Sequence, residues 1–225
     1  MTFKGAVQPD PGRRLAALKT LFPPEVLREG SRSMILDKAL RLFAERGFGG
    51  VSVRDLATAC GLQPASLYAH FPSKQHVLAE ICRVGHEEWL KGIRASLLDS
   101  QPTVRDQVAA YIRAHVAFHA EYPMLAVVCN AELHMLSPEL GAPIWQMRKH
   151  GQDIVETIVR RGMDQGVFKI DDVWLATAMI GGPGLRVAHW YAPDSGYTVE
   201  QVARTYVKFA WRVLGVPEEK ASKKS

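Results

Sequence analysis

Apolar positions between residues 31 and 98 recur at helical spacing in short bursts, each closed by residues that stop a helix. Ile35, Ala39, Leu42 and Phe43 fall at i, i+4, i+7 and i+8 on one face, with Ser31 or Ser33 placed to cap it. Gly47 suits the left-handed residue that ends this helix, and Phe48 then falls where it packs back on Phe43. Ser52 and Asp55 have capping-box spacing, with Val51 and Leu56 at staple positions, so a second helix runs from Val53 to Cys60. Pro64 suits the first position of a third helix, and Pro72 forbids much continuation beyond Phe71. Ser73 caps a fourth, much longer helix to about Leu98, with Val77, Ile81 and Val84 on one buried face and Leu78, Gly85 and Trp89 on an adjoining one. Ala57 at a close helix crossing, Gly61 in the turn and Leu67 as inward anchor have the spacing of a helix-turn-helix, which sets one helix end into a DNA major groove.

From Val104 the pattern stays helical, and no stretch alternates as a strand. Helices are expected over Val104–Glu121, Met124–Met135, Ala142–Gln165, Asp172–Tyr191 and Thr198–Leu214, an all-α bundle. Gly181-Gly182-Pro183-Gly184 predicts a kink or break in the fourth of these. The last carries Val199, Val202, Ala203, Tyr206, Val207, Phe209, Ala210, Val213 and Leu214, too apolar around its circumference for one packing stripe. Either it is a central core helix of a monomer or it also meets a second chain.

Composition adds a charge asymmetry. Residues 1–80 hold 11 Lys/Arg against 7 Asp/Glu, whereas residues 81–225 hold 17 against 16, so most of the formal +5 lies with the proposed DNA reader. Cys60, Cys82 and Cys129 are an odd, sparse set with no C-x-x-C pair, so neither a disulfide framework nor a cysteine zinc site is suggested and a reducing compartment is expected. The N-terminus lacks the apolar run of a signal peptide and no later run approaches a membrane span, so a cytoplasmic protein is expected. The chain divides into a basic, largely irregular arm over 1–30, with a short helix near Leu15–Phe22, a helix-turn-helix domain over 31–76, a helical body over 77–216 and a charged tail over 217–225. The arm either contacts DNA in the minor groove or is a solubilising tail.

Residues 52–74, SVRDLATACGLQPASLYAHFPSK, resemble the signature of the TetR/AcrR family of bacterial transcriptional regulators, and the likeness extends back through ALRLFAERGFGGVSV. It implies an all-α fold with an N-terminal three-helix DNA-binding domain and a C-terminal ligand-binding and dimerisation domain, whose last two helices pair with their two-fold mates. Gln63, Pro64, Ala65, Ser66 and Ala69 lie at the start and outer face of the reading helix, where short side chains approach bases and a Gln can pair with adenine. Tyr68, His70 and Lys74 match family positions that hold phosphates, and Arg54 and Arg32 are further phosphate candidates. The segments AEYPMLAVVCNAELHMLSPEL, QGVFKIDD and HWYAPDSGYTVEQVARTYVKFAWRVLG resemble C-terminal domains of regulators of lipid, steroid and aromatic catabolism, several of which respond to acyl-CoA thioesters.

No catalytic constellation is visible and no cofactor is implied. His115 and His119 share a helix face as zinc-binding histidines do, but Val116 stands where H-E-x-x-H carries its Glu. With Glu132 nearby, the pair is expected to line an effector cavity or to be satisfied in the interior. Arg148 and Arg186 are cationic candidates for an effector's anionic group, and Phe118, Met124, Val128, Trp145, Met179 and Trp190 are candidate apolar walls. The sequence therefore reads as a homodimeric repressor that binds double-stranded operator DNA and is released by a small apolar or acyl-CoA-like molecule. The alternatives are a small all-α metal-dependent enzyme and a cysteine redox-responsive regulator.

Overall fold

A computed structural model describes residues 21–26 and 30–217. Nine α-helices follow one another among the described residues: α1 Ser31–Arg46, α2 Val53–Ala59, α3 Pro64–Tyr68, α4 Lys74–Leu98, α5 Val104–Glu121, α6 Pro123–Glu132, α7 Pro138–Asp164, α8 Val173–Trp190 and α9 Val199–Val213. A 3₁₀ turn, Leu133–Met135, joins α6 to α7, and no described helix is long and apolar enough to cross a membrane.

The local devices read from the chain set the helix ends. Gly47 takes φ 69° and donates its N–H to the Phe43 carbonyl, while the Phe43 and Phe48 rings meet edge-on at 5.3 Å. The capping box is complete, with Asp55 N–H donating to Ser52 Oγ at 3.1 Å and Ser52 N–H to Asp55 Oδ2 at 2.7 Å. α1 differs: Gly30 is its N-cap without a side-chain bond, and Ser33 Oγ donates back to the Gly30 carbonyl. α7 starts at Pro138, earlier than Ala142, because a proline lacking an N–H fits a first turn, and the helix carries Pro143 inside it.

Two hydrophobic cores share α4. One unites α1–α3 with Leu21, Phe22, Phe71, Val77, Leu78, Ile81 and with Met124, Leu125, Val128 and Leu133 from α6 and its extension. The other packs Trp89, Leu90 and Ile93 against α5, α7, α8 and α9. Leu21 and Phe22 of the arm are buried against the first core, and residues 21–26 form no helix; residues 1–20 and 27–29, with most of the helix expected near Leu15–Phe22, and residues 218–225 of the tail lie outside the described residues.

α8 runs unbroken through Gly181–Gly184, so of the kink or break expected there the break does not occur. Pro183 does remove the N–H that the Met179 carbonyl would accept. The helix is held there from outside, since His115 donates Nε2–H to the Gly181 carbonyl at 3.1 Å and a Cβ on Gly184 would run into the His115 ring. α9 is amphipathic in the chain alone: Val202, Ala203, Val207 and Ala210 are buried, while Phe209 stands 50% exposed.

Glycine has opposite meanings at two helical positions. A Cβ on Gly162 would collide with the Phe168 ring, whereas one on Gly92 would meet nothing within 4 Å. Gly92→Ala should raise unfolding stability by about 0.5–1 kcal/mol through helix propensity, and Gly162→Ala should lower it by about 1–3 kcal/mol through overpacking, both measured by urea denaturation.

Candidate functional site

Two features stand out, a helical tip at one end and a chamber in the body. At the tip, Gly61 turns the chain with φ 65° and Leu62 N–H donates to the Ala57 carbonyl at 2.9 Å, closing the turn between α2 and α3. Pro64 starts α3 at its first position. Leu67 and Phe71 are buried, so they press α3 onto the core and fix which face looks out. That face carries Gln63, Ala65, Ser66, Tyr68 and Ala69, all exposed, with Pro64 and His70 half-buried beside them. Arg54 is exposed on the adjacent α2.

Lys74 and Arg32, expected on phosphates, are engaged internally. The Lys74 ammonium donates to the Phe48 and Val51 carbonyls at 2.7 and 2.6 Å and lies 4.0 Å from the Phe48 ring centroid, and burial lowers its pKa. Lys74 thus ties the start of α4 to the α1–α2 loop, leaving one N–H for any other partner. Arg32 donates to the His70 carbonyl at 3.0 Å, lies over the Phe71 ring at 4.2 Å and approaches Glu80 at 3.6 Å, joining α1, the end of the reading helix and α4.

The chamber, about 270 Å³, lies between α4, α5, α6, α7 and α8. Of the residues expected to line it, His115, Phe118, His119 and Arg148 do so. The other seven do not. Met124 and Val128 are buried in the reader-side core, because on α6 the face toward the chamber belongs to Ala126, Cys129 and Asn130. Glu132 lies at the end of α6, beside Gly47. Trp145, Met179 and Arg186 point outward, and Trp190 packs edge-on against Tyr191 at 5.9 Å. Sequence reasoning missed His86, Trp89 and Tyr111, which their periodicity marks as core, and Trp174, Thr177 and Gly181 on α8. Gly85 was a usable signal: its missing Cβ makes room for Cys129 Sγ, which a Cβ there would approach to 2.5 Å.

The buried histidines have assignable tautomers. Trp89 Nε1–H can only donate, so it meets a bare His115 Nδ1 at 2.9 Å, and His115 Nε2–H faces the Gly181 carbonyl. His119 donates Nδ1–H to the His115 carbonyl and His86 donates Nδ1–H to the Cys82 carbonyl, both at 2.8 Å. Burial pushes the His115 pKa down to about 4, aided by the Arg148 charge. His119, well below its ordinary value, and His86 are lowered first by burial too. With both ring nitrogens engaged, His115 has no lone pair for zinc, and no group of three or more His, Cys, Asp or Glu side chains is placed to hold a metal among the described residues. The thiols are buried; burial raises the pKa of Cys60 and, much further, that of Cys129, the reverse of what a reactive thiolate needs.

Comparison with known proteins agrees with this geometry. Residues 35–81 match the family of bacterial regulatory proteins of the tetR type, and residues 101–214 match the tetracyclin repressor-like C-terminal domain. The chain is 31% identical over 195 residues to the HTH-type transcriptional repressor KstR2 of Rhodococcus jostii, covering 84% of this chain and 94% of that protein. A solved tetR-family regulatory protein from Rhodococcus RHA1 superposes with TM-score 0.77 at 27% identity, covering 85% of this chain and 100% of that one. The TetR family regulator PfmR of Thermus thermophilus does so with TM-score 0.70 at 31% identity, covering 82% and 99%.

The neutral imidazoles make stability depend on pH with a definite sign. Below about pH 6.5 the unfolded chain takes up protons that folded His115 refuses until about pH 4. The stability is complete above about pH 6.5 and is lost as pH falls, at most ~1.4 kcal/mol per unit for each such imidazole. The thermal midpoint should therefore drop between pH 7.5 and pH 5, and His115→Gln should flatten that drop; an unchanged slope would mean that His115 takes up its proton alike in the folded and the unfolded chain.

Proposed function

The chain belongs to the TetR family of bacterial regulatory proteins, and from that premise we propose that it is a dimeric transcriptional repressor released from its operator by a small apolar or acyl-CoA-like effector. The DNA-binding domain spans residues 31–76 and the effector and dimerisation domain residues 77–216. The observation that carries the reading is the tip of α3: Leu67 is buried while Gln63, Ser66 and Tyr68 face solvent. A short helix presented this way fits a major groove, with Gln63 and Ser66 at base edges and Tyr68 and Arg54 at the backbone. Lys74, part-buried, and Arg32, at the surface, hold that tip in register through the chain's own carbonyls.

Two such tips must reach successive half-sites about 34–36 Å apart, which calls for a two-fold dimer. The faces that support it are on α8, where Trp174, Leu175 and Met179 are 66%, 56% and 61% exposed, and on α9, where Phe209 is 50% exposed. The chamber is the effector site. Its wall includes Gly85, His86 and Trp89 of α4, the helix whose first residue clamps the reader, so a ligand that displaces α4 changes the spacing of the two tips. Release from a 1:99 balance to its reverse requires about 10⁴-fold preference of the effector for the spread form, about 5.5 kcal/mol. Action on chromosomal DNA places the protein in the cytoplasm.

Selection from genomic fragments should recover discrete sites, bound with an affinity that falls steeply with salt. Ser66→Glu, at an exposed position, should leave the circular dichroism and melting point unchanged and weaken binding at least ~100-fold by setting a carboxylate against the duplex. Gln63→Ala should instead relax preference at one base pair per half-site, by about 1–3 kcal/mol; wild-type affinity in the Ser66→Glu protein would remove α3 from the interface. Met179→Glu, read by sedimentation velocity, should yield monomers, and an undisturbed dimer would move the seam elsewhere.

A further inference from the structure

The chamber wall holds a cation with no negative group against it. Arg148, half-buried on α7, has its guanidinium carbon 5.6 Å from the Trp145 ring centroid and has no hydrogen bond or ion pair to any described residue. Its charge reaches all three buried histidines, lowering the basicity of each. Glu156, on the same helix and also lining the chamber, is two turns away, about 12 Å of helix rise, and does not pair with it. Five N–H donors partly withdrawn from water without an acceptor are costly unless something else occupies the space beside them.

The other groups in the chamber determine how an occupant must lie. His86 and His119 use Nδ1–H on main-chain carbonyls, so their Nε2 lone pairs are without a protein partner among the described residues. A lone pair repels an anion. His115 has both nitrogens engaged, and the Thr177 hydroxyl donates to the carbonyls of its own helix. An anionic group therefore fits at Arg148, and an apolar remainder fits along Trp89, Tyr111 and Phe118. At about 270 Å³ the chamber is below the range that takes a whole drug-sized ligand, so its content is a body of about ten heavy atoms.

We propose that the effector is an amphipathic acid, a molecule with one apolar body filling the chamber and one anionic group, its own carboxylate or a phosphate of a thioester carrier, held by the forked donors of Arg148. This deepens the reading of the chamber as the effector site and rests on it. Arginine suits the role because its planar donors match a carboxylate or phosphate two bonds at a time.

Isothermal titration of the full-length protein with decanoate, decan-1-ol and decanoyl-CoA tests it. Decanoate or decanoyl-CoA should bind about 10- to 100-fold more tightly than the alcohol, the range for a charge-assisted hydrogen bond. Arg148→Gln should reduce that preference to within about threefold while leaving the affinity for the alcohol unchanged, which also shows that the variant is folded. If the carboxylate is the anion, decanoate shows the loss; if a carrier phosphate is, decanoyl-CoA alone shows it. Affinity for the alcohol equal to that for both decanoate and decanoyl-CoA, anion binding indifferent to Arg148→Gln, or no binding of any of the three by the wild type would overturn the proposal. The Ser66→Glu measurement on DNA needs no effector, so failure here leaves the DNA reading to stand or fall separately.

Discussion

A single 25-residue helix has to satisfy two cores at once. Val77, Leu78 and Ile81 of α4 are buried with the reader, and Trp89, Leu90 and Ile93 with the body. At about 1.5 Å per residue the two groups are a few turns apart on one rigid rod. Neither core can shift along α4 without the other. The Lys74 ammonium closes the arrangement at the DNA end, where two carbonyls and the face of Phe48 hold it. Arg32 adds a second tie, from α1 to the carbonyl of His70 and the Glu80 carboxylate.

The same rod forms a wall of the chamber, and there the chemistry is of a different kind. Three histidines are kept uncharged by burial, with the Arg148 charge adding to it and against the pull of the main-chain carbonyls they donate to, while Arg148 has no acceptor beside it. Such a set is poor at acid and base catalysis, because a group held far from its ordinary pKa in the neutral form does not exchange protons near pH 7. It is suited to discriminating among ligands. An occupant is selected by whether it brings an acceptor to one end and an apolar surface to the other.

α8 shows how tertiary contacts overrule a local rule. Gly-Gly-Pro-Gly reads as a break, and in an isolated peptide the lost N–H and the conformational freedom of three glycines favour one. Within the bundle the helix persists: the Gly181 carbonyl accepts from His115, and the absent side chain of Gly184 admits the imidazole ring. The motif is a socket for a histidine from another helix.

The amino-acid order by itself determined the helices and the reader, since capping boxes, prolines at first positions and glycines at positive φ act within a few residues. Ser52 with Asp55, Pro64 and Gly61 each do what their neighbours dictate. Of the eleven residues it offered for an effector site, four line the chamber, His115, Phe118, His119 and Arg148. Only the tertiary structure decided which side of α6 faces the chamber, where Cys129 lines it and Val128, one residue away, does not. Residues one apart differ by about 100° around a helix, and the choice between two apolar faces depends on partners far along the chain. The same limit applies to Lys74 and Arg32, offered for phosphate by family position and by place in the chain, for which only the folded chain shows the carbonyls and rings that also hold them.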